Sequence, residues 1–176
     1  TAVFDGADAV MLSAETATGR YPVEAVEVMA RVVERAEQAM PGQVGARPRP
    51  EAYGFAEAVA EAACQAASLL HGKAIVAFTQ SGFTARLISQ DRPAVPIIAL
   101  TPFTEVQRKL GLYWGVSSRV IRKVETTDEM LEEVEAALLG DGTVENDDVL
   151  VIISGAPMWV TGTTNLMKLH RVGDRR

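Results

Sequence analysis

A three-layer α/β/α sandwich around a mostly parallel sheet of about five strands is the fold class the sequence predicts, on three observations. From residue 73 onward, short apolar runs alternate with segments of helical period, the repeated strand–helix unit of a parallel sheet. The run Val149-Leu150-Val151-Ile152-Ile153 is apolar without interruption, as a strand covered on both faces must be. The 176 residues are 48% hydrophobic and 23% charged, enough apolar material for one ordinary domain with a small appendage.

Taken in order, residues 9–12 (Ala-Val-Met-Leu) read as a short buried strand. Pro22 suits a first helical turn, and Val26, Met29, Val33, Ala36 and Met40 behind it recur at spacings of three and four, an amphipathic helix. Pro41-Gly42 ends it. Residues 41–50, rich in proline and glycine and nearly without apolar side chains, read as a linker that separates residues 1–40 from a domain over 51–176. Phe55, Val59, Ala63, Ala66 and Leu70 then mark the inner face of a second helix. Strands are predicted over 73–78, 95–100, 116–121 and 149–153, with an alternating edge strand over 166–172. Helices are predicted over 81–90 and over 102–110, the latter capped by Thr101. Another starts at the capping box Thr126 to Glu129, with Met130, Leu131, Val134 and Leu138 turned inward.

Composition also excludes function classes. With 17 basic and 23 acidic side chains the formal charge is −6, and the basic residues are scattered, which argues against a nucleic-acid surface. The longest apolar runs fall far short of the ~20 residues a membrane span needs. Cys64 stands alone, so an intrachain disulfide or multi-thiolate metal site is impossible, and a reducing compartment such as the cytoplasm is expected. The chain opens at Thr1 without an initiator Met or targeting segment and reads as a piece of a longer polypeptide.

The strongest chemical feature is Thr79-Gln80-Ser81-Gly82-Phe83-Thr84, between a buried strand and a helix. Hydroxyls, a glycine that permits close backbone approach and the positive end of a helix together suit a phosphate. The plainer alternative is that Ser81 caps the helix and Gly82 relieves the turn. A second loop, 155–165, contains Pro157, Trp159 and Thr161-Gly162-Thr163-Thr164-Asn165. Both loops leave carboxyl ends of strands, where an open α/β sheet binds its ligands, so the two are expected to face one pocket. Ser13 and Glu15 would read as catalytic at a strand end of a (β/α)8 barrel, but without His, Lys or metal ligands nearby they read equally as a cap. His71 and His170 have no evident partner and are expected at exposed or terminal positions. Cys64 reads as a small apolar filler, Asn146-Asp147-Asp148 as a turn, and Glu129, Glu132, Glu133 and Glu135 as a solvated helix face.

One resemblance is more specific than any of these patterns. The segment Asp5-Gly6-Ala7-Asp8-Ala9-Val10-Met11-Leu12-Ser13-Ala14-Glu15-Thr16, running on through Tyr21-Pro22 to Val26, resembles the last strand and helix of the catalytic barrel of pyruvate kinases. Ala14 departs from the glycine most common there. Ala77-Phe78-Thr79-Gln80-Ser81-Gly82 is similar to the phosphate-binding turn of that family's C-terminal regulatory domain, and Gly162-Thr163-Thr164-Asn165 to its effector loop.

The resemblance implies that residues 1–40 are a barrel remnant and 51–176 the complete regulatory domain. It implies a parent kinase, a cytoplasmic homotetramer of glycolysis, that moves a phosphoryl group from phosphoenolpyruvate to ADP, giving pyruvate and ATP with Mg²⁺ and K⁺. The lysine and metal-ligand strands lie earlier in such a barrel, so this chain alone is expected to lack the active site and to hold no cofactor. Thr79, Gln80, Ser81, Gly82, Thr84, Gly162, Thr163 and Thr164 are the implied effector site. The tryptophan and arginine with which animal members clamp a second phosphate are missing from 124–139, so a nucleotide or sugar monophosphate is the expected partner. A stand-alone phosphometabolite-binding module is the other reading, and a retained barrel strand and helix argue against it.

Overall fold

The computed structural model describes residues 1–39, 54–158, 160 and 162–174. These fall into two units, divided between Arg47 and Pro48. The predicted linker at 41–50 lies outside the described residues, as do Met40, Trp159 and Thr161.

In the first unit α1 (Ala14–Ala17) packs on α2 (Pro22–Gln38). Proline occupies the first turn of α2, where its missing N–H has no intrahelical acceptor to lose. The expected strand at 9–12 does not form. A strand needs a neighbour for its N–H and C=O groups, and the described residues of this unit contain no other strand; Met11 is 88% exposed. The helix has the predicted stripe, but Met29, Val33 and Ala36 are only half-buried, Val26 is exposed, and no residue of α2 is fully buried.

The second unit begins with α3 (Phe55–Leu69), followed by β1 (Ala74–Phe78), α4 (Phe83–Gln90), β2 (Ile97–Thr101), α5 (Thr104–Leu110), β3 (Val116–Val120), α6 (Thr127–Gly140), β4 (Val149–Gly155) and β5 (Thr164–Arg171). The strands form one sheet in the order β3-β2-β1-β4-β5. The first four run parallel, and β5 closes one edge antiparallel to β4. Successive side chains of β1, β2 and β4 alternate between two cores. Ile75, Ala77, Ile97, Ala99, Val151 and Ile153 meet α3, α4 and α5; Val76, Phe78, Ile98, Leu100, Leu150 and Ile152 meet α6. The sandwich is therefore three-layered, as predicted.

Several expectations need correction. The inner face of α3 is Ala56, Ala60, Ala63 and Ala67, not the stripe through Phe55 and Leu70; Phe55 is 85% exposed and Leu70 is exposed. Of the predicted stripe only Ala63 is fully buried, while Val59 and Ala66 pack at its margin. Alanine wins because methyl groups let the helix axis approach the sheet, where larger side chains would hold it off. Helix α5 starts later than expected, and Thr101 belongs to β2, its hydroxyl accepting from the Phe103 N–H at 3.3 Å. The Thr126 cap forms, accepting from the Glu129 N–H at 3.2 Å, while the Glu129 carboxylate accepts from Glu125, one residue before the cap.

The acidic face of α6 is not simply solvated. Glu133 pairs with Arg122 at 2.6 Å, and Glu135 accepts from the Gly173 N–H at 2.7 Å and meets His170 Nε2 at 2.9 Å. His170 is thus buried and partnered rather than exposed, because it lies on the inward side of β5, opposite α6. His71 is exposed, as expected. Asp147 adopts a left-handed φ of 71° in the turn before β4, and the Asp148 carboxylate accepts there from the Glu145 N–H at 2.9 Å. Cys64 is inert filler; burial, with Asp91 and Glu61 adding to it, pushes its thiol up to about 12.

Two outcomes follow for stability. Amides of Val26 to Val33 are expected to exchange faster than those of Val149 to Ile153, since α2 buries no side chain completely while β4 is covered on both faces. Peptide-resolved hydrogen exchange reads this directly, and equal protection would contradict it. Ala63→Leu is expected to destabilise the second unit by ~1–3 kcal/mol through overpacking, whereas Phe55→Ala should change urea stability by less than ~0.5 kcal/mol.

Candidate functional site: a crevice at the β1 and β4 carboxyl ends

Strand β1 is the point where the sheet changes direction. The chain proceeds outward from β1 through β2 to β3, then crosses back by α6 to enter β4 on the other side of β1. Loops leaving the carboxyl ends of β1 and β4 therefore diverge and leave a crevice between them. Thr79, Gln80, Ser81 and Thr84 line it from one side, and Gly162, Thr163 and Thr164 from the other. The predicted convergence of the two loops is what the structure shows. The cleft encloses about 410 Å³, open to solvent, which is the size range of small-molecule sites.

On the β1 side, the Thr79 N–H donates to the Leu100 carbonyl at 3.0 Å, so the strand ladder carries on into the loop. The Thr79 hydroxyl accepts from the Gly82 N–H at 2.9 Å and shapes the turn. Gly82, not Ser81, is the N-cap of α4, with φ at 89°, a conformation that glycine adopts without strain. A Cβ there would also stand 3.3 Å from Leu110. Ser81 is consequently free of capping duty and exposed at the mouth of the cleft, above the first N–H groups of α4.

On the β4 side, Gly155 passes so close to the other arm of its loop that a Cβ would lie 2.8 Å from the Thr163 carbonyl oxygen. The Thr163 hydroxyl donates within the loop, to Val160 at 2.8 Å and Pro157 at 3.3 Å. The two sides meet at the buried pair Thr84 Oγ1 and Thr164 Oγ1, 2.7 Å apart. Of the predicted hydroxyls, those of Thr79, Thr84, Thr163 and Thr164 thus build the crevice, while Ser81 is the one turned to solvent. Sequence reading missed the remaining lining, Phe78, Phe83, Ser154, Gly155, Met158 and Val160. Gly155 alone carried a signal, as a glycine ending an apolar strand. No charged side chain lines the cleft among the described residues.

Ser13 and Glu15 belong to the other unit and serve as the start of α1. The Glu15 carboxylate accepts from the Ser13 N–H at 3.0 Å, and backbone N–H groups, its own and that of Ser13, hold it below the usual carboxylate range. Among the described residues no cluster of His, Cys, Asp and Glu is fit to hold a metal ion. Helices long and apolar enough to cross a membrane are likewise absent among them. Thr84→Val would leave the Thr164 hydroxyl buried without this partner and is expected to destabilise the second unit by ~1–3 kcal/mol, read by urea denaturation.

The model of the pyruvate kinase alpha/beta domain matches residues 57–170, and that of the pyruvate kinase barrel domain matches residues 1–26. A pyruvate kinase of Geobacillus stearothermophilus is 42% identical over 98% of this chain and 30% of its own length. One of Clostridium perfringens is 38% identical over 97% of this chain and 37% of its own. The crystal structure of Cryptosporidium parvum pyruvate kinase superposes with a TM-score of 0.81 at 34% identity, covering 97% of this chain and 34% of that one. A second structure of that enzyme, in complex with ADP, superposes with a TM-score of 0.79 at 35% identity, covering 97% of this chain and 35% of that one. The chain thus spans about a third of the length of these relatives, and on the match of both domain models it belongs to the pyruvate kinase family.

Proposed function

We propose that residues 51–176 form the effector-binding domain of a pyruvate kinase and that the crevice takes one phosphate monoester, a nucleotide or sugar monophosphate. The observation that carries the reading is the meeting of the β1 and β4 loops at the switch point of the sheet, with Ser81 and the first turn of α4 facing the cleft. Backbone N–H groups and a serine hydroxyl donate to an oxyanion without adding charge, so a single phosphate is accommodated. The second phosphate of a bisphosphate would need a cation, and the described lining has none.

On this reading the parent protein is a cytoplasmic homotetramer that transfers phosphate from phosphoenolpyruvate to ADP with Mg²⁺ and K⁺. The described residues of this chain do not offer a ligand set for a divalent ion, and no step of that transfer is assigned to them. Residues 1–40 are the end of the catalytic barrel, with Ser13 and Glu15 at its mouth.

Titration calorimetry with glucose 6-phosphate, adenosine monophosphate and a hexose bisphosphate tests the site. A monophosphate is expected to bind more tightly than the bisphosphate. Ser81→Glu, at an exposed position, is expected to weaken that binding by ~1–3 kcal/mol through like-charge repulsion. Preference for the bisphosphate, or unchanged affinity in Ser81→Glu, would contradict the assignment. In a coupled assay the chain alone is expected to show no turnover in the range of ~1–100 s⁻¹ usual for kinases.

A further inference from the structure

The β4–β5 ladder changes register at its open end. Ser154 is paired with Leu166, but the next residue of β4, Gly155, is paired with Thr164, so Asn165 is the extra residue of a bulge. Beyond Gly155 the backbone ladder stops. Ala156, the first residue of the loop, nevertheless has both of its polar groups satisfied. Its N–H donates to Asn165 Oδ1 at 2.8 Å, and its carbonyl accepts from Asn165 Nδ2 at 2.8 Å.

This is the double exchange of an antiparallel rung, with a side-chain amide standing in for one strand. The pattern demands one donor and one acceptor on the same planar group at the reach of a single methylene. An aspartate offers two acceptors and sets a negative oxygen against the Ala156 carbonyl. A serine makes one bond at most. Thr163 fastens the loop to itself, through Val160 and Pro157; Asn165 fastens it to the end of β4. Asn165 does not line the crevice, whereas Gly155, Met158, Val160 and Thr163, on the segment it anchors, do.

We propose that Asn165 is the positioning residue of this crevice, holding the 156–163 loop where it completes the phosphate-monoester site; the inference rests on the reading of the crevice given above. The rung lies at the margin of the sheet and is exposed, so its loss loosens the loop without dismantling either core. A preorganised loop contributes to affinity by having little freedom left to lose on binding.

The test compares the full 176-residue chain with Asn165→Asp and Asn165→Ser. In the parent chain the Ala156 amide is expected to be protected in NMR-detected exchange. Both variants should lose that protection and bind glucose 6-phosphate or adenosine monophosphate about tenfold more weakly, as expected for two hydrogen bonds lost from a preorganised state. The urea midpoint should scarcely move. A purely structural residue would give the reverse, a lowered midpoint with affinity intact. If Asn165→Asp does not fold, Asn165→Ser decides. Parental affinity in either folded variant overturns the proposal and leaves the reading of the crevice standing. An unprotected Ala156 amide in the parent chain overturns it as well. Failure of the parent chain to bind either monophosphate overturns the crevice reading, and the role of Asn165 falls with it.

Discussion

Strand β1 is hydrogen-bonded to a parallel neighbour on each side and covered by helices on both faces. Everything else in the second unit follows from that enclosure. With every β1 residue buried, the strand can contain only apolar side chains, and their alternation divides the interior into one core under α3, α4 and α5 and another under α6. Because the neighbours are parallel, their carboxyl ends share one edge of the sheet. Because the chain leaves β1 in one direction and returns on the other side, the loops at that edge separate. The crevice is thus a by-product of strand order, and its walls are whatever residues happen to follow β1 and β4.

That dependence explains why so much was legible in the sequence. Five of the strands and the helices between them announce themselves by period, since burial on both faces leaves runs such as Val149 to Ile153 no other composition. The convergence of Thr79 to Thr84 with Gly162 to Thr164 was legible for the same reason, as both segments follow strands of a parallel sheet.

What was not legible depends on partners far away in sequence. Residues 9–12 have the composition of a strand, but composition does not supply a ladder. In α3, counting large apolar residues points to Phe55 and Leu70, whereas closeness of approach is decided by the smallest side chains, Ala56, Ala60, Ala63 and Ala67. His170 had no visible partner because Glu135 lies 35 positions away on another element. The assignment of the α4 cap to Ser81 failed for a local reason, the left-handed φ of Gly82, which displaces the helix start by one residue and returns the serine to the cleft. Asn165 was noticed as part of a motif, but a side chain that completes a strand ladder depends on a bulge, and bulges leave no periodic trace.

The uncharged lining of the cleft has a kinetic side. The chain carries a formal charge of −6, so an approaching anion meets a repulsive long-range field with no local cation to draw it in. Dissolved salt screens that field over a Debye length of ~10 Å at 0.1 M. Capture of an anion by this cleft should therefore quicken as ionic strength rises, whereas an arginine-lined pocket slows. Short-range hydrogen bonding would then set how long the anion stays, and the bulk electrolyte how often it arrives.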